Sequence, residues 1–78
     1  MPKMILKLPK LAVSMQAGTL VEWLVATDDI VTLGQPLYVI ETEKTSTEVA
    51  SPFAGRVVTI GETGEEYPVG TPIAEIHS

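Results

Sequence analysis

Seventy-eight residues, 45% of them hydrophobic and 19% charged, are enough for one small core. With no cysteine and His77 as the one histidine, the chain has no disulfide frame, no thiol site and no histidine-based triad or metal cluster. A net charge of −5 argues against nucleic acid or an anionic membrane surface as a partner, and no apolar run approaches the roughly 20 residues of a membrane span.

Residues 4–8 are short and apolar and read as an opening strand that Pro9 ends. Pro9 and Lys10 also interrupt the apolar start, which argues against a signal peptide and leaves a cytoplasmic location as the expectation. Leu11 to Gly18 form a loop. Leu20, Val21, Trp23, Leu24 and Val25 fit a helical stripe, whereas Gly18 and the Thr, Val and Trp content favour a strand, so residues 18–26 are ambiguous between the two. Asp28-Asp29 marks a turn, residues 30–32 a short strand, and Leu33-Gly34-Gln35-Pro36 another turn.

Residues 37–50 hold two β-type runs joined at Glu43-Lys44. A two-residue loop there sets Thr42 opposite Thr45, Ile40 opposite Thr47 and Tyr38 opposite Val49, and these six share one largely apolar face. Glu41, Ser46 and Glu48 take the other face, so this register buries the apolar set, whereas a slip by one buries glutamates. Lys44 then stands at the apex among Glu41, Glu43 and Glu48. With no glycine in the loop, a type I turn is the compatible geometry. One reading of Lys44 is a solvated lysine paired with acids; the other is a lysine displayed for covalent modification.

The second half echoes the first. Ser51-Pro-Phe-Ala-Gly55 follows Ser14-Met-Gln-Ala-Gly18 by 37 residues, and Gly70-Thr-Pro72-Ile73 follows Gly34-Gln-Pro36-Leu37 by 36. Such a repeat implies two similar halves packed face to face, and short strands between Gly/Pro turns make the product an antiparallel sandwich.

Residues 41–55, Glu-Thr-Glu-Lys-Thr-Ser-Thr-Glu-Val-Ala-Ser-Pro-Phe-Ala-Gly, closely resemble the lipoyl-attachment segment of 2-oxo acid dehydrogenase acyltransferases. Leu8-Pro-Lys-Leu, Ser14-Met-Gln, Gly18-Thr-Leu-Val-Glu-Trp, Gly34-Gln-Pro-Leu and Pro68-Val-Gly-Thr-Pro-Ile extend the likeness over nearly the whole chain. The resemblance implies a single lipoyl-attachment domain over residues 1–78. Its fold would be an all-β, flattened antiparallel sandwich of two four-stranded sheets with a pseudo-twofold repeat, the lysine hairpin lying at one pole and the chain ends at the other.

The resemblance also implies lipoate in amide linkage to Lys44, with Glu43 and Thr45 as flanking recognition residues, attached by a lipoate ligase or an octanoyl/lipoyl transferase. A free lysine, with a pKa of about 10.4, is protonated near neutral pH, so a separate enzyme must deprotonate it and supply an activated acyl group. The family's cycle then runs through a thiamine diphosphate-dependent decarboxylase, an acyltransferase core and a dihydrolipoyl dehydrogenase. The resemblance implies that the domain itself is a non-catalytic, monomeric carrier that raises the effective concentration of its arm.

A biotinyl carrier domain of a biotin-dependent carboxylase is the alternative, since both carriers share a fold and a hairpin lysine. The biotin family flanks its lysine with methionines, however, where this chain has Glu43 and Thr45. An unmodified β-sandwich serving as an interaction module is a third reading. Ala12 and Asp28 depart from a family that commonly has glycine at both positions, and Asp28 is the residue better able to adopt a left-handed backbone.

Overall fold

A computed structural model describes residues 3–11, 13–43 and 45–78. Eight strands follow one another: β1 (Lys3–Lys7), β2 (Ala17–Trp23), β3 (Ile30–Val31), β4 (Pro36–Glu41), β5 (Ser46–Ala50), β6 (Gly55–Thr59), β7 (Glu66–Pro68) and β8 (Pro72–His77). They form two four-stranded antiparallel sheets, ordered β1-β8-β6-β3 and β5-β4-β2-β7. Advancing each strand of the first sheet by four, cyclically, reproduces the second, so a pseudo-twofold relates β1–β4 to β5–β8. The all-β sandwich expected from the turn spacing is present, with principal extents of 36 × 19 × 19 Å.

The two similar halves, expected to pack face to face, instead interleave: every sheet takes two strands from each half. Within the first half, β2 pairs with β4, while β1 and β3 cross to the other sheet and bracket β8 and β6. The connections 8–16 and 24–29 are long enough to cross between layers, and the exchange makes each half depend on the other for a core.

That core holds Leu6, Leu8, Met15, Leu20, Val31, Leu37, Tyr38, Ile40, Val57, Ile73, Ala74 and Ile76, drawn from both sheets. Trp23 closes one end, its indole N–H donating to the Gly61 carbonyl at 2.9 Å and its ring meeting Tyr38 edge-on at 5.2 Å between centroids. This is the packing arrangement rewarded beyond burial alone. Turns bear out the glycine reading: Gly34 and Gly70 have φ of 86° and 92°, and Asp28 sits at 75°. Asp28 holds that conformation with its carboxylate 2.6 Å from Arg56 Nη1 and its N–H bonded to the Val57 carbonyl.

Burial pushes the Tyr38 phenol from 10.0 up to about 12. Because the folded state raises this pKa, the burial of Tyr38 adds full stability below about pH 10 and loses it as pH climbs through 12. Urea midpoints are therefore expected to fall between pH 10 and 12. In Tyr38→Phe that part of the fall should disappear, and an identical fall in the variant would refute the assignment.

Candidate functional site

The β4–β5 hairpin follows the register read from the sequence: Tyr38 faces Val49, Ile40 faces Thr47, and Glu41 faces Ser46. Tyr38 and Ile40 are buried and Val49 and Thr47 half-buried, while Glu41, Ser46 and Glu48 are exposed. Alternation therefore sends the apolar row inward and the carboxylates to water, which fixes the register and the direction of the tip. Beyond Glu41 and Ser46 the strands close once more, the Thr42 N–H donating to the Thr45 carbonyl at 2.8 Å. Glu43 and Thr45 are exposed. Lys44 and the turn conformation expected at Glu43-Lys44 lie outside the described residues, as does Ala12.

Loop 8–16 stands against this hairpin. Met15 is its anchor: the thioether is buried, accepts the Leu11 N–H at 3.2 Å, and packs by its Cε over Gly18 beside Ile40. The loop is thereby fastened to the strand that leads into the tip. Between loop and hairpin lies an open cleft of about 900 Å³, with Leu11, Ser14, Met15 and Gln16 on one side and Thr42, Glu43, Thr45 and Thr47 on the other. Ser14, Met15 and Gln16, singled out from the sequence as loop residues, thus flank the tip. Thr19 and Glu66, also in the cleft lining, were not singled out. They join it through the pairing of Thr19 with both Glu41 and Glu66, a long-range register that no local pattern announces.

Charge is divided between the sheets. The strands of the hairpin sheet carry Glu22, Glu41, Glu48 and Glu66 and no basic residue. The strands of the other carry Lys3, Lys7, Arg56 and His77 against Glu75 alone. Across the hairpin sheet, pairing lines up Ser46, Glu41, Thr19 and Glu66; the pseudo-twofold counterpart lines up Lys3, His77, Arg56 and Ile30. His77 Nε2 and Lys3 Nζ both reach Glu75, at 3.0 and 3.8 Å. The two faces have the same backbone and opposite sign, so the hairpin emerges from an acidic surface.

Residues 5–76 match the biotin–lipoyl family model, described as "Biotin-requiring enzyme". The chain belongs to the biotin–lipoyl family. Among its relatives, a dihydrolipoyllysine-residue acetyltransferase component of the pyruvate dehydrogenase complex from Corynebacterium glutamicum is 38% identical over 71 residues, covering 90% of this chain and 10% of the relative. A lipoamide acyltransferase component of the branched-chain alpha-keto acid dehydrogenase complex from Bacillus subtilis is 36% identical over 72 residues, covering 91% of this chain and 17% of the relative. A dihydrolipoyllysine-residue succinyltransferase component of the 2-oxoglutarate dehydrogenase complex from Staphylococcus saprophyticus is 37% identical over 71 residues, again 90% of this chain and 17% of the relative. This biotin–lipoyl chain thus spans between a tenth and a sixth of the length of these acyltransferase components. Among its described residues, no helix is long and apolar enough to cross a membrane, and no group of three or more His, Cys, Asp and Glu residues has the geometry to hold a metal ion.

Proposed function

We propose that residues 1–78 form one lipoyl carrier domain in which Lys44 is the attachment point for lipoate. The observation that supports this most directly is the hairpin register: β4 and β5 run paired to Glu41 and Ser46, bury their apolar row, and leave Glu43 and Thr45, the chain neighbours of Lys44, exposed. Strand pairing below and exposed flanking residues suit a lysine that a modifying enzyme must reach. The exposed flanks and the open cleft leave room for a long flexible chain, so the residues present fit the group.

The attaching enzyme is a lipoate ligase or an octanoyl/lipoyl transferase. Lys44, once deprotonated, supplies Nζ as the nucleophile: its bond to the acyl carbon forms, the bond to the activating group breaks, and the amide nitrogen is left uncharged. Glu43 and Thr45 are the flanking residues this enzyme reads. When attached, lipoate supplies a dithiolane that accepts acyl groups and electrons. The chain's own contribution is to hold the tip at a defined place on an acidic face, with Met15 bracing the neighbouring loop. The names of the three relatives favour service in a 2-oxo acid dehydrogenase complex, with a thiamine diphosphate-dependent decarboxylase, an acyltransferase core and a dihydrolipoyl dehydrogenase as partners. The domain works as a monomer, in the cytoplasm, without catalysing a step itself.

The description of the matched family keeps a biotinyl carrier as the second reading. Incubation with a lipoate ligase and, separately, with a biotin ligase, followed by intact mass and peptide mapping, decides between them. The expected result is one lipoyl increment on the peptide containing Lys44. A biotin increment alone, or none from either enzyme, would overturn the lipoyl reading.

A further inference from the structure

Thr42 points two donors at one acceptor. Its backbone N–H reaches the Thr45 carbonyl at 2.8 Å and its Oγ1 reaches the same oxygen at 3.2 Å. This is the last bonded step of the hairpin before Glu43 and Lys44. Below it, the strands are held by ladder bonds and buried side chains; above it, only two residues separate the bonded threonines. Thr42 is half-buried and lines the cleft beside the tip, while Thr45 is exposed. The second donor is redundant for closing the hairpin, because the backbone N–H satisfies the carbonyl by itself. What it adds is angular: an acceptor held by two donors on one residue cannot swing about a single hydrogen-bond axis.

We infer that the Thr42 hydroxyl is a positioning element that holds the Thr45 side of the hairpin end and thereby sets how readily the modifying enzyme captures Lys44; this rests on Lys44 being the modified residue. The argument is one of populations. An enzyme that needs one arrangement of the tip binds with an apparent affinity lowered by the fraction of time the tip spends elsewhere. Binding itself restores the arrangement, so the loss is felt in KM and not in kcat.

Thr42→Val tests this cleanly. Valine keeps the shape, the strand preference and the backbone N–H, and removes only the hydroxyl. The expected result is a KM for the domain in lipoylation raised roughly three- to tenfold, the scale of one lost hydrogen bond, with a fall in melting temperature no larger than about 4–8 °C, the most that such a loss allows. Little change in kcat should accompany it. Amide 15N order parameters at Glu43 and Thr45 should fall in the same variant, and Thr42→Ser, which retains the hydroxyl, should restore both quantities. An unchanged KM with unchanged order parameters in Thr42→Val, or the same losses in Thr42→Ser, would overturn the inference. Should the parent domain take no lipoyl group on Lys44, the carrier reading fails by itself, and the order parameters alone still decide whether the hydroxyl restrains the tip.

Discussion

Gly55→Ala is expected to be the most damaging single-methyl change in the chain. Gly55 has φ of +153°, a region open in practice to glycine alone, and a Cβ built there lies 2.5 Å from the His77 carbonyl oxygen and 2.9 Å from Ile76 Cγ2. The backbone conformation costs an alanine about 1–3 kcal/mol, and intrusion on a packed neighbour costs roughly as much again. For a domain of this size each kcal/mol lowers Tm by about 4–8 °C, so a fall of at least about 10 °C should appear in a thermal melt.

Gly18, its pseudo-twofold counterpart, is the internal control. It makes the same close approach to the end of β4, but its nearest atoms are the Ile40 Cγ2 at 2.7 Å and the mobile end of Met15 at 3.0 Å, and its φ is ordinary. Side chains can shift where a backbone carbonyl cannot, so Gly18→Ala should lose clearly less. Equal losses, or a Gly55→Ala Tm within about 4 °C of the parent, would remove the backbone clash as the cause.

Lys44→Arg should abolish modification outright. The guanidinium stays protonated at any pH at which the protein survives, and its delocalised nitrogens are poor nucleophiles toward an activated acyl group. Intact mass after exhaustive treatment with lipoate ligase should show the unmodified polypeptide only. The Tm should match the parent, because the strands below the tip hold their register through Tyr38, Ile40 and Val49 without help from the apex. A lipoyl increment on the variant would move the attachment elsewhere; unfolding of the variant would assign Lys44 a structural part.

Much of this was legible from local chemistry. The hairpin register came from a two-residue loop at Glu43-Lys44 together with alternation, because one row is largely apolar and the other acidic and a slip by one would bury the glutamates. The turns came from glycines now found at positive φ, and from Asp28, which takes the same conformation without being glycine. The strand at Leu20 was harder, and the structure supplies the reason. A bulge between Leu20 and Glu22 makes Leu20 and Trp23 face the core three residues apart, so a strand imitates helical spacing. That strand also ends at Trp23, sooner than residue 26, where the Ala26–Asp29 turn takes over with Ala26 N–H bonded to Asp29 Oδ2 at 2.9 Å. The exchange of strands between halves had no local signal, nor did the meeting of Thr19 with Glu66, since both depend on which distant strands pair.

Among the described residues, β4 with β5 is the one of six strand pairings that joins neighbours in the chain. A hairpin of this kind forms in about 1–10 μs, whereas every other pairing must wait for a long loop to close. Topologies dominated by such non-local pairs fold in roughly milliseconds to seconds. On those time scales the hairpin that carries Lys44 is expected to pair before the rest of its sheet. It is also the seam between the two repeats, so early pairing there joins the two halves of the chain at their junction.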